Sequence, residues 1–270
     1  MEFVGDAVPL SRDGLAAAAD LVGSDVNALW AVITVETMGC GFLPDRRPRI
    51  LFERHVFRTR TNGRFDESHP DISGSPGSYG QGGAHQYRRL HAAIACDRRA
   101  ALESASWGLG QVMGFNAEPA GFHGAEHMVQ RMQGHEDEQL LGMACFMRSN
   151  GLHSALQRQD WAAFARRYNG PNFAINKYDQ KLAATYASLT SGTLPDLNVR
   201  AVQLLLQYHG FDPGPIDGLP GGKTRAAIAA FAANRGLPAM PPHQSELYAA
   251  LRESLPPVSQ GGQSEGSSTA

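Results

Sequence analysis

The chain has 270 residues, of which 42% are hydrophobic, so it is long enough to bury one large core and a smaller second one. Its 24 basic and 26 acidic residues leave a formal net charge of −2, which excludes the positive field of a general nucleic-acid or membrane-surface binder. No apolar run approaches transmembrane length, and three widely spaced cysteines predict free thiols and not a disulfide framework.

Two helices are predicted first, over residues 10–22 and over the segment ALWAVITVET. In the second, Leu29, Val32, Ile33 and Glu36 share one face by their i, i+3, i+4, i+7 spacing. A carboxylate therefore stands where an apolar residue is expected, and burial there raises its pKa toward neutrality. A carboxylic acid that keeps its proton near pH 7 is the donor that glycosidic cleavage needs. The alternative is that Glu36 lies at a helix end and turns to solvent.

A basic segment follows at about residues 46–64. Within it, Glu53 is a candidate second carboxylate, and its neighbours Arg54 and His55 predict that it stays ionised; a structural ion pair is the alternative. Few aromatic residues are interleaved with the arginines, so we expect a solvated face, or one attracted to an anionic polymer, and no nucleic-acid site. The next stretch, 73–83, has the composition of a mobile loop. The arginines of the basic segment are Arg46, Arg47, Arg49, Arg54, Arg58, Arg60 and Arg64.

The segment 104–114, SASWGLGQVMG, is interrupted by glycines and rich in groups that hydrogen-bond sugars. We expect the Ser106 hydroxyl to bond the Glu36 carboxyl and the Gln111 amide to contact an N-acetyl group or a sugar hydroxyl. Glu103, directly before this segment, is another candidate second carboxylate, with a helix cap or an ion pair as its alternative.

A competing pattern lies further along the chain. His123, Glu126 and His127 spell H-x-x-E-H, the inverted zinc-peptidase motif. Gly121 and Gly124 weaken a helix at this place, and no third ligand is marked. We therefore predict no metal and no organic cofactor, and keep a zinc peptidase as the weaker alternative.

The last short motif of this region is RYNGPN, residues 167–172. Tyr168 offers a flat face and a hydroxyl to a pyranose, and Asn169 shapes the turn, so both are predicted to bind substrate. A buried core aromatic is the alternative for Tyr168. Helical patterning covers the remaining stretches 87–103, 126–149, 161–168 and 178–189.

Taken in order, VET, SWGLGQVMG and RYNGP resemble the three signatures of lysozyme-like glycosidases of the soluble lytic transglycosylase and goose-type lysozyme kind. Together with RPRILFERHVF at 47–57, the sequence resembles more closely the phage-type N-acetylmuramidase domain of endolysins, over about residues 15–189. The resemblance implies a lysozyme-like helical domain that cleaves the β-1,4 bond between N-acetylmuramic acid and N-acetylglucosamine, with Glu36 as general acid. Thr37 stands where the family has Ser. A lytic transglycosylase, in which the muramyl 6-hydroxyl replaces water, is the alternative.

A second unit begins near residue 197. Amphipathic helices are predicted at 199–208, 223–234 and 245–254, the first two separated by a Gly/Pro turn. The unit resembles the three-helix peptidoglycan-binding module, whose site candidates here are Asp217, Gly218 and Thr224. The positions that match its pattern are Gly210, Gly214, Asp217, Gly218, Gly221, Thr224 and Phe231.

The predicted fold class is mainly α: a lysozyme-like catalytic domain at 1–190, a linker at 191–196, a three-helix peptidoglycan-binding bundle at 197–255 and a disordered tail at 256–270. We expect a monomer that acts on peptidoglycan glycan strands, without nucleic-acid partners or membrane insertion. The N-terminus lacks the basic start and apolar stretch of a secretory signal. The expected route is therefore synthesis in the host cytoplasm and holin-dependent release to the cell wall in the periplasm, as the resemblance implies.

Overall fold

The computed structural model describes residues 2–37, 39–170, 173–237 and 244–256. The predicted disordered tail lies outside these residues, apart from Pro256. Positions 171 and 172, which end the third motif, also lie outside them.

The described chain is mainly helical, as predicted, with one small sheet. The N-terminal unit contains α1 Arg12–Val22, α2 Val26–Thr37, β1 Ile50–Phe52, α3 Arg54–Arg60, α4 His85–Cys96, α5 Arg98–Glu103, β2 Ala105–Trp107, β3 Val112–Met113, α6 Ala125–Gly134, α7 Glu136–Ser149, α8 His153–Gln157, α9 Trp161–Tyr168 and α10 Tyr178–Ser191. The C-terminal unit contains α11 Leu197–Tyr208, α12 Gly222–Arg235 and α13 Gln244–Glu253.

Helix α2 lies in the centre of the N-terminal core. Helix α1 ends at Gly23, whose left-handed φ of 62° suits a residue without a side chain. The Asp25 carboxylate then caps the start of α2, where it accepts the backbone N–H of Ala28 at 2.8 Å. α2 packs against α10, and its apolar face is completely buried. No single helix of the described residues is long and apolar enough to cross a membrane; α1 and α2 reach that length only as a pair bent by 105°.

A three-stranded antiparallel sheet, in the order β1-β2-β3, stands beside α2. Leu51 of β1 pairs with Ser106, and Trp107 pairs with Val112 of β3. The turn between β2 and β3 carries Gly108 at a φ of 68°. The sequence did not predict these strands, because segments of two and three residues are too short to show an alternating pattern.

Two stretches that were predicted as single helices are each divided in the structure. Asp97 adopts an extended conformation between α4 and α5 and accepts the N–H of Ala100 at 3.0 Å. His135 does the same between α6 and α7, where its Nδ1 accepts the N–H of Asp137 at 3.0 Å. In both places a polar side chain caps a new helix, and the chain changes direction.

The C-terminal unit has its own apolar core, formed by α11, α12 and α13 around Phe231. It also packs directly on the N-terminal unit. A shared apolar cluster joins Cys40 and Phe42 of the N-terminal unit to Leu204 and Ile216 of the C-terminal one. Between the two units, α10 extends to Ser191 and the Asp196 side chain caps α11, so the segment that connects them is short.

Candidate active site

Glu36 is the penultimate residue of α2, and its side chain is partly buried. Burial raises its pKa from 4.5 to about 7, and a hydrogen bond from Asn169 opposes this shift. In that bond Asn169 Nδ2 donates to Glu36 Oε1 at 2.9 Å. The prediction that burial moves this carboxyl toward neutrality is confirmed. A carboxyl group with a pKa near 7 carries its proton in a large fraction of molecules at neutral pH.

The Glu36 carboxyl borders a cleft with a volume of about 150 Å³. Side chains and backbone from the end of α2, from β1 and from the turn between β2 and β3 form its walls. Within the described residues, Glu36 is the only carboxylate that lines it. The lining residues are Glu36, Thr37, Leu43, Arg49, Ile50, Gly83 and Gln111. Folding therefore brings the first two sequence motifs together around one cavity.

Gln111 is fixed in this cleft by its own turn. Its Nε2 donates to the Gly108 carbonyl at 2.9 Å, and its Oε1 accepts the Ser106 hydroxyl at 2.8 Å. The Ser106 proton is thus directed at Gln111 and not at Glu36, so the predicted bond between Ser106 and Glu36 is wrong. The pairing of β2 with β3 places Ser106 over the turn, and Gln111 itself has a left-handed φ of 49°.

Tyr168 is not among the residues that line the cleft. Its ring stacks on Phe164 with 5.2 Å between centroids, and its hydroxyl donates to the Gly110 carbonyl at 2.5 Å. Burial, and to a smaller extent the charge of Glu36, raises its pKa well above the ordinary value of a tyrosine. These contacts favour the core-aromatic interpretation of the ring. They also make Tyr168 a support for the turn that carries Gln111.

Sequence reasoning missed two residues near Glu36. Arg49 was assigned to a solvated basic face, but it lines the cleft, and its buried Nε has no hydrogen-bond partner among the described residues. The pKa of Tyr178, at the start of α10, is raised mainly by burial and to a smaller extent by the charge of Glu36. Nothing in the sequence marks Tyr178, since only the packing of α10 on α2 brings it to this place.

Glu53 lies at the start of α3 and does not line the cleft. Its Oε2 is 3.2 Å from His55 Nδ1. Burial raises the pKa of Glu53, although His55, Tyr79 and Arg89 all act to lower it. The loss of solvation therefore outweighs the charge of its basic neighbours in the direction of this pKa shift, and that the carboxyl stays ionised remains a prediction.

Glu103 is held by two arginines. Arg60 NH1 and Arg99 Nε each lie 2.9 Å from its carboxylate oxygens. It borders a separate cavity of about 880 Å³, which shares no lining residue with the Glu36 cleft. These contacts fit the ion-pair alternative for Glu103.

The H-x-x-E-H segment also borders that second cavity. Glu126 is engaged by Arg98, whose NH2 lies 2.7 Å from its Oε1. His123 precedes α6, and its backbone N–H donates to His127 Nδ1 at 3.2 Å. Within the part of the chain that the structure describes, no three His, Cys, Asp or Glu side chains form a group that could hold a metal ion.

The three candidates of the C-terminal unit surround one buried glutamine. Gln203 Nε2 donates to Asp217 Oδ1 at 3.1 Å and to Thr224 Oγ1 at 3.2 Å, and Gln203 Oε1 accepts the N–H of Gly218 at 2.8 Å. Gly218 has a φ of 74°, and a Cβ there would lie 2.8 Å from backbone atoms of Asp196. Within the described residues, these three positions therefore shape the loop between α11 and α12. The sequence did not predict the role of Gln203.

Comparison with known proteins agrees with this geometry. Residues 25–190, more than half of the chain, match the family model of the N-acetylmuramidases. The chain belongs to the N-acetylmuramidase family. Residues 195–239 of this muramidase match the model of a peptidoglycan binding domain.

The crystal structure of Burkholderia AP3 phage endolysin is similar to the muramidase. The two sequences are 36% identical, the TM-score is 0.62, and the match covers 67% of this chain and 71% of that one. No curated protein sequence matches the chain. The muramidase is therefore a glycoside hydrolase that acts on the peptidoglycan of the cell wall, as predicted, and the comparisons do not favour a transglycosylase or a zinc peptidase.

Proposed function

We propose that the muramidase works as an endolysin and uses Glu36 as the general acid in cleaving the β-1,4 bond between N-acetylmuramic acid and N-acetylglucosamine. The observation that carries this proposal is a carboxyl group with a pKa of about 7, placed in a cleft with Gln111. The similarity to Burkholderia AP3 phage endolysin supports the lytic role.

In the proposed reaction the protonated Glu36 donates its proton to the glycosidic oxygen as the bond from that oxygen to the muramyl C1 breaks. The departing sugar leaves with a hydroxyl, and positive charge develops at C1. Water then adds to C1, and the proton it releases returns to the Glu36 carboxylate. Asn169 Nδ2, at 2.9 Å from Oε1, holds the carboxyl in one orientation during both steps.

A second carboxylate is not part of this proposal. Neither Glu53 nor Glu103 lines the cleft, and each has basic partners of its own. We assign both to structural roles. The charge that develops at C1 is instead stabilised by the Glu36 carboxylate itself once its proton has been transferred.

Gln111 and Arg49 are the proposed substrate-binding groups of the cleft. Ser106 and Gly108 fix the Gln111 amide, which leaves the second lone pair of its Oε1 to accept an N–H or O–H of a sugar. Arg49 contributes a buried Nε–H without a partner in the described residues, which can donate to a sugar oxygen.

The C-terminal unit is proposed to hold the enzyme on insoluble peptidoglycan and so to raise the local concentration of the catalytic unit. We place the catalytic domain at 1–190, the wall-binding domain at 197–255 and a short connection between them. We further propose that the enzyme acts as a monomer and reaches the wall by holin-dependent release.

Product analysis of digested peptidoglycan tests the proposal. The wild type should release fragments with reducing muramyl ends, and Glu36→Gln should lower the rate roughly 10²–10⁴-fold, the usual contribution of a general acid. Glu53→Gln is the matched control, since it makes the same change at another partly buried carboxylate, one that lies outside the cleft. Mass spectra dominated by 1,6-anhydromuramyl ends, or full activity of Glu36→Gln, would contradict the proposal.

A further inference from the structure

A buried ion pair joins the wall-binding unit to the catalytic unit. Arg200 of α11 and Glu136 of α7 are both 0% exposed. Arg200 NH1 lies 2.6 Å from Glu136 Oε2, and Arg200 NH2 lies 2.8 Å from Oε1. This two-pronged geometry is the most favourable one for an arginine and a carboxylate.

The same pair binds the backbone that follows the catalytic helix. Arg200 Nε donates to the Gly39 carbonyl at 2.8 Å, and its NH2 also donates to that oxygen. Glu136 Oε1 accepts the N–H of Gly41 at 2.8 Å, and its Oε2 accepts the N–H of Leu10 at 2.8 Å. Glu136 bonds Gly41 and Leu10 within the N-terminal unit, whereas the bonds that Arg200 makes to Glu136 and to the Gly39 carbonyl exist only when the two units are together.

Gly39 is three residues beyond Glu36, so the guanidinium of the wall-binding unit restrains the end of α2. The backbone of that unit is in contact there as well, because a Cβ on Gly39 would lie 2.7 Å from the Ile216 carbonyl oxygen. On the other side, the Thr37 hydroxyl bonds the Leu109 carbonyl at 3.2 Å. Glu36 is thus held between an anchor in its own unit and an anchor in the neighbouring one.

We propose that Arg200 is a positioning residue for Glu36, so that the wall-binding unit takes part in bond cleavage in addition to attachment. The inference rests on the proposed role of Glu36 as general acid. A unit that served only as a tether would affect turnover of the insoluble wall and leave the turnover of a short soluble substrate unchanged. A unit that fixes the general acid affects kcat on both.

The test uses full-length protein and soluble, uncross-linked glycan strands. Replacing Arg200 alone leaves the Glu136 carboxylate buried without a counter-charge, which risks unfolding. The main variant is therefore the double one, Arg200→Met with Glu136→Gln, which removes both charges. The matched control is Lys223→Met with Asp212→Asn, which removes an exposed ion pair from the same unit in the same way.

We expect the double variant to stay folded. Its kcat should fall about tenfold or more, because a misplaced catalytic group reacts more slowly. Its KM should change by less than about threefold. The decline of kcat at high pH should also move to lower pH, since a displaced Glu36 is better hydrated and its pKa falls. A merely unstable protein would lose activity without this shift. Tyr168 and Tyr178 beside Glu36, and Cys40 and Tyr208 beside the ion pair, have pKa values raised mainly by burial and do not titrate in this range.

Arg200→Lys is the second variant and covers the case in which the double variant does not fold. It keeps the charge beside Glu136 but cannot bind Glu136 and Gly39 with one planar fork. A partial loss of kcat with an unchanged melting temperature supports the proposal. In either folded variant, a kcat within twofold of that of the Lys223/Asp212 control, together with an unshifted midpoint of the pH profile, would overturn it. Full activity of Glu36→Gln would instead overturn the proposed function on which it rests.

Discussion

The hydrogen bond from Asn169 to Glu36 allows a quantitative test of how the acid is tuned. Asn169 donates to the carboxylate and so stabilises its charged form, which partly offsets the effect of burial. Asn169→Ala removes this donor, and the pKa of Glu36 should therefore rise further above its value of about 7. A hydrogen bond to a charged group contributes about 1.5–3 kcal/mol, and one pKa unit corresponds to about 1.4 kcal/mol. The expected increase is thus about one to two pKa units.

The assay is the dependence of kcat on pH with soluble glycan strands as substrate. Because the protonated acid is the active form, a higher pKa extends activity to higher pH, and the midpoint of the alkaline decline should move up by about one to two pH units. Asn150→Ala is a suitable control, since within the described residues the Asn150 side chain makes one local bond, to the Phe146 carbonyl at the exposed end of α7. An alkaline midpoint that stays fixed or moves down in Asn169→Ala would refute the reasoning.

Three further predictions concern stability and are measured by urea unfolding. Glu36→Gln should raise the free energy of unfolding by up to about 3 kcal/mol at pH 8 and by little at pH 4. The reason is that the folded-state pKa of about 7 exceeds the unfolded value of 4.5, so the wild-type protein is destabilised as pH rises through this interval. Equal effects at both pH values would argue against it. Gly108→Ala should cost about 1–3 kcal/mol, since φ is 68° and the new Cβ would lie 2.7 Å from the Gln139 side chain; an unchanged midpoint would be inconsistent with this strain. Phe231→Ala should cost the C-terminal unit about 3–5 kcal/mol, and a loss below 1 kcal/mol would show that its core is not as described.

The sequence predicted the burial of Glu36 and the upward shift of its pKa, for a reason that is local. The face that carries Leu29 and Ile33 repeats with helical spacing, so it identifies both the buried side of α2 and the carboxylate on it. The glycines and sugar-bonding side chains of residues 104–114 likewise singled out the segment that carries Gln111 of the cleft. Such features depend on residues close together in the chain, and a single sequence displays them.

The remaining parts of the site depend on contacts between distant segments. Ser106 bonds Gln111 because two very short strands pair, and Tyr178 approaches Glu36 because α10 packs on α2. Arg200 lies 64 residues from its carboxylate partner Glu136 along the chain. No pattern within one segment specifies these pairings, so the sequence indicated a tethered binding unit where the structure shows a packed one.

The most direct test of the account is a titration of the Glu36 carboxyl by ¹³C NMR, with Glu36→Gln used to assign its resonance. The midpoint should lie near pH 7 and coincide with the alkaline decline of kcat in the wild type. A midpoint near 4.5, the ordinary value of a glutamate, would contradict the claim that burial in this cleft keeps the general acid protonated.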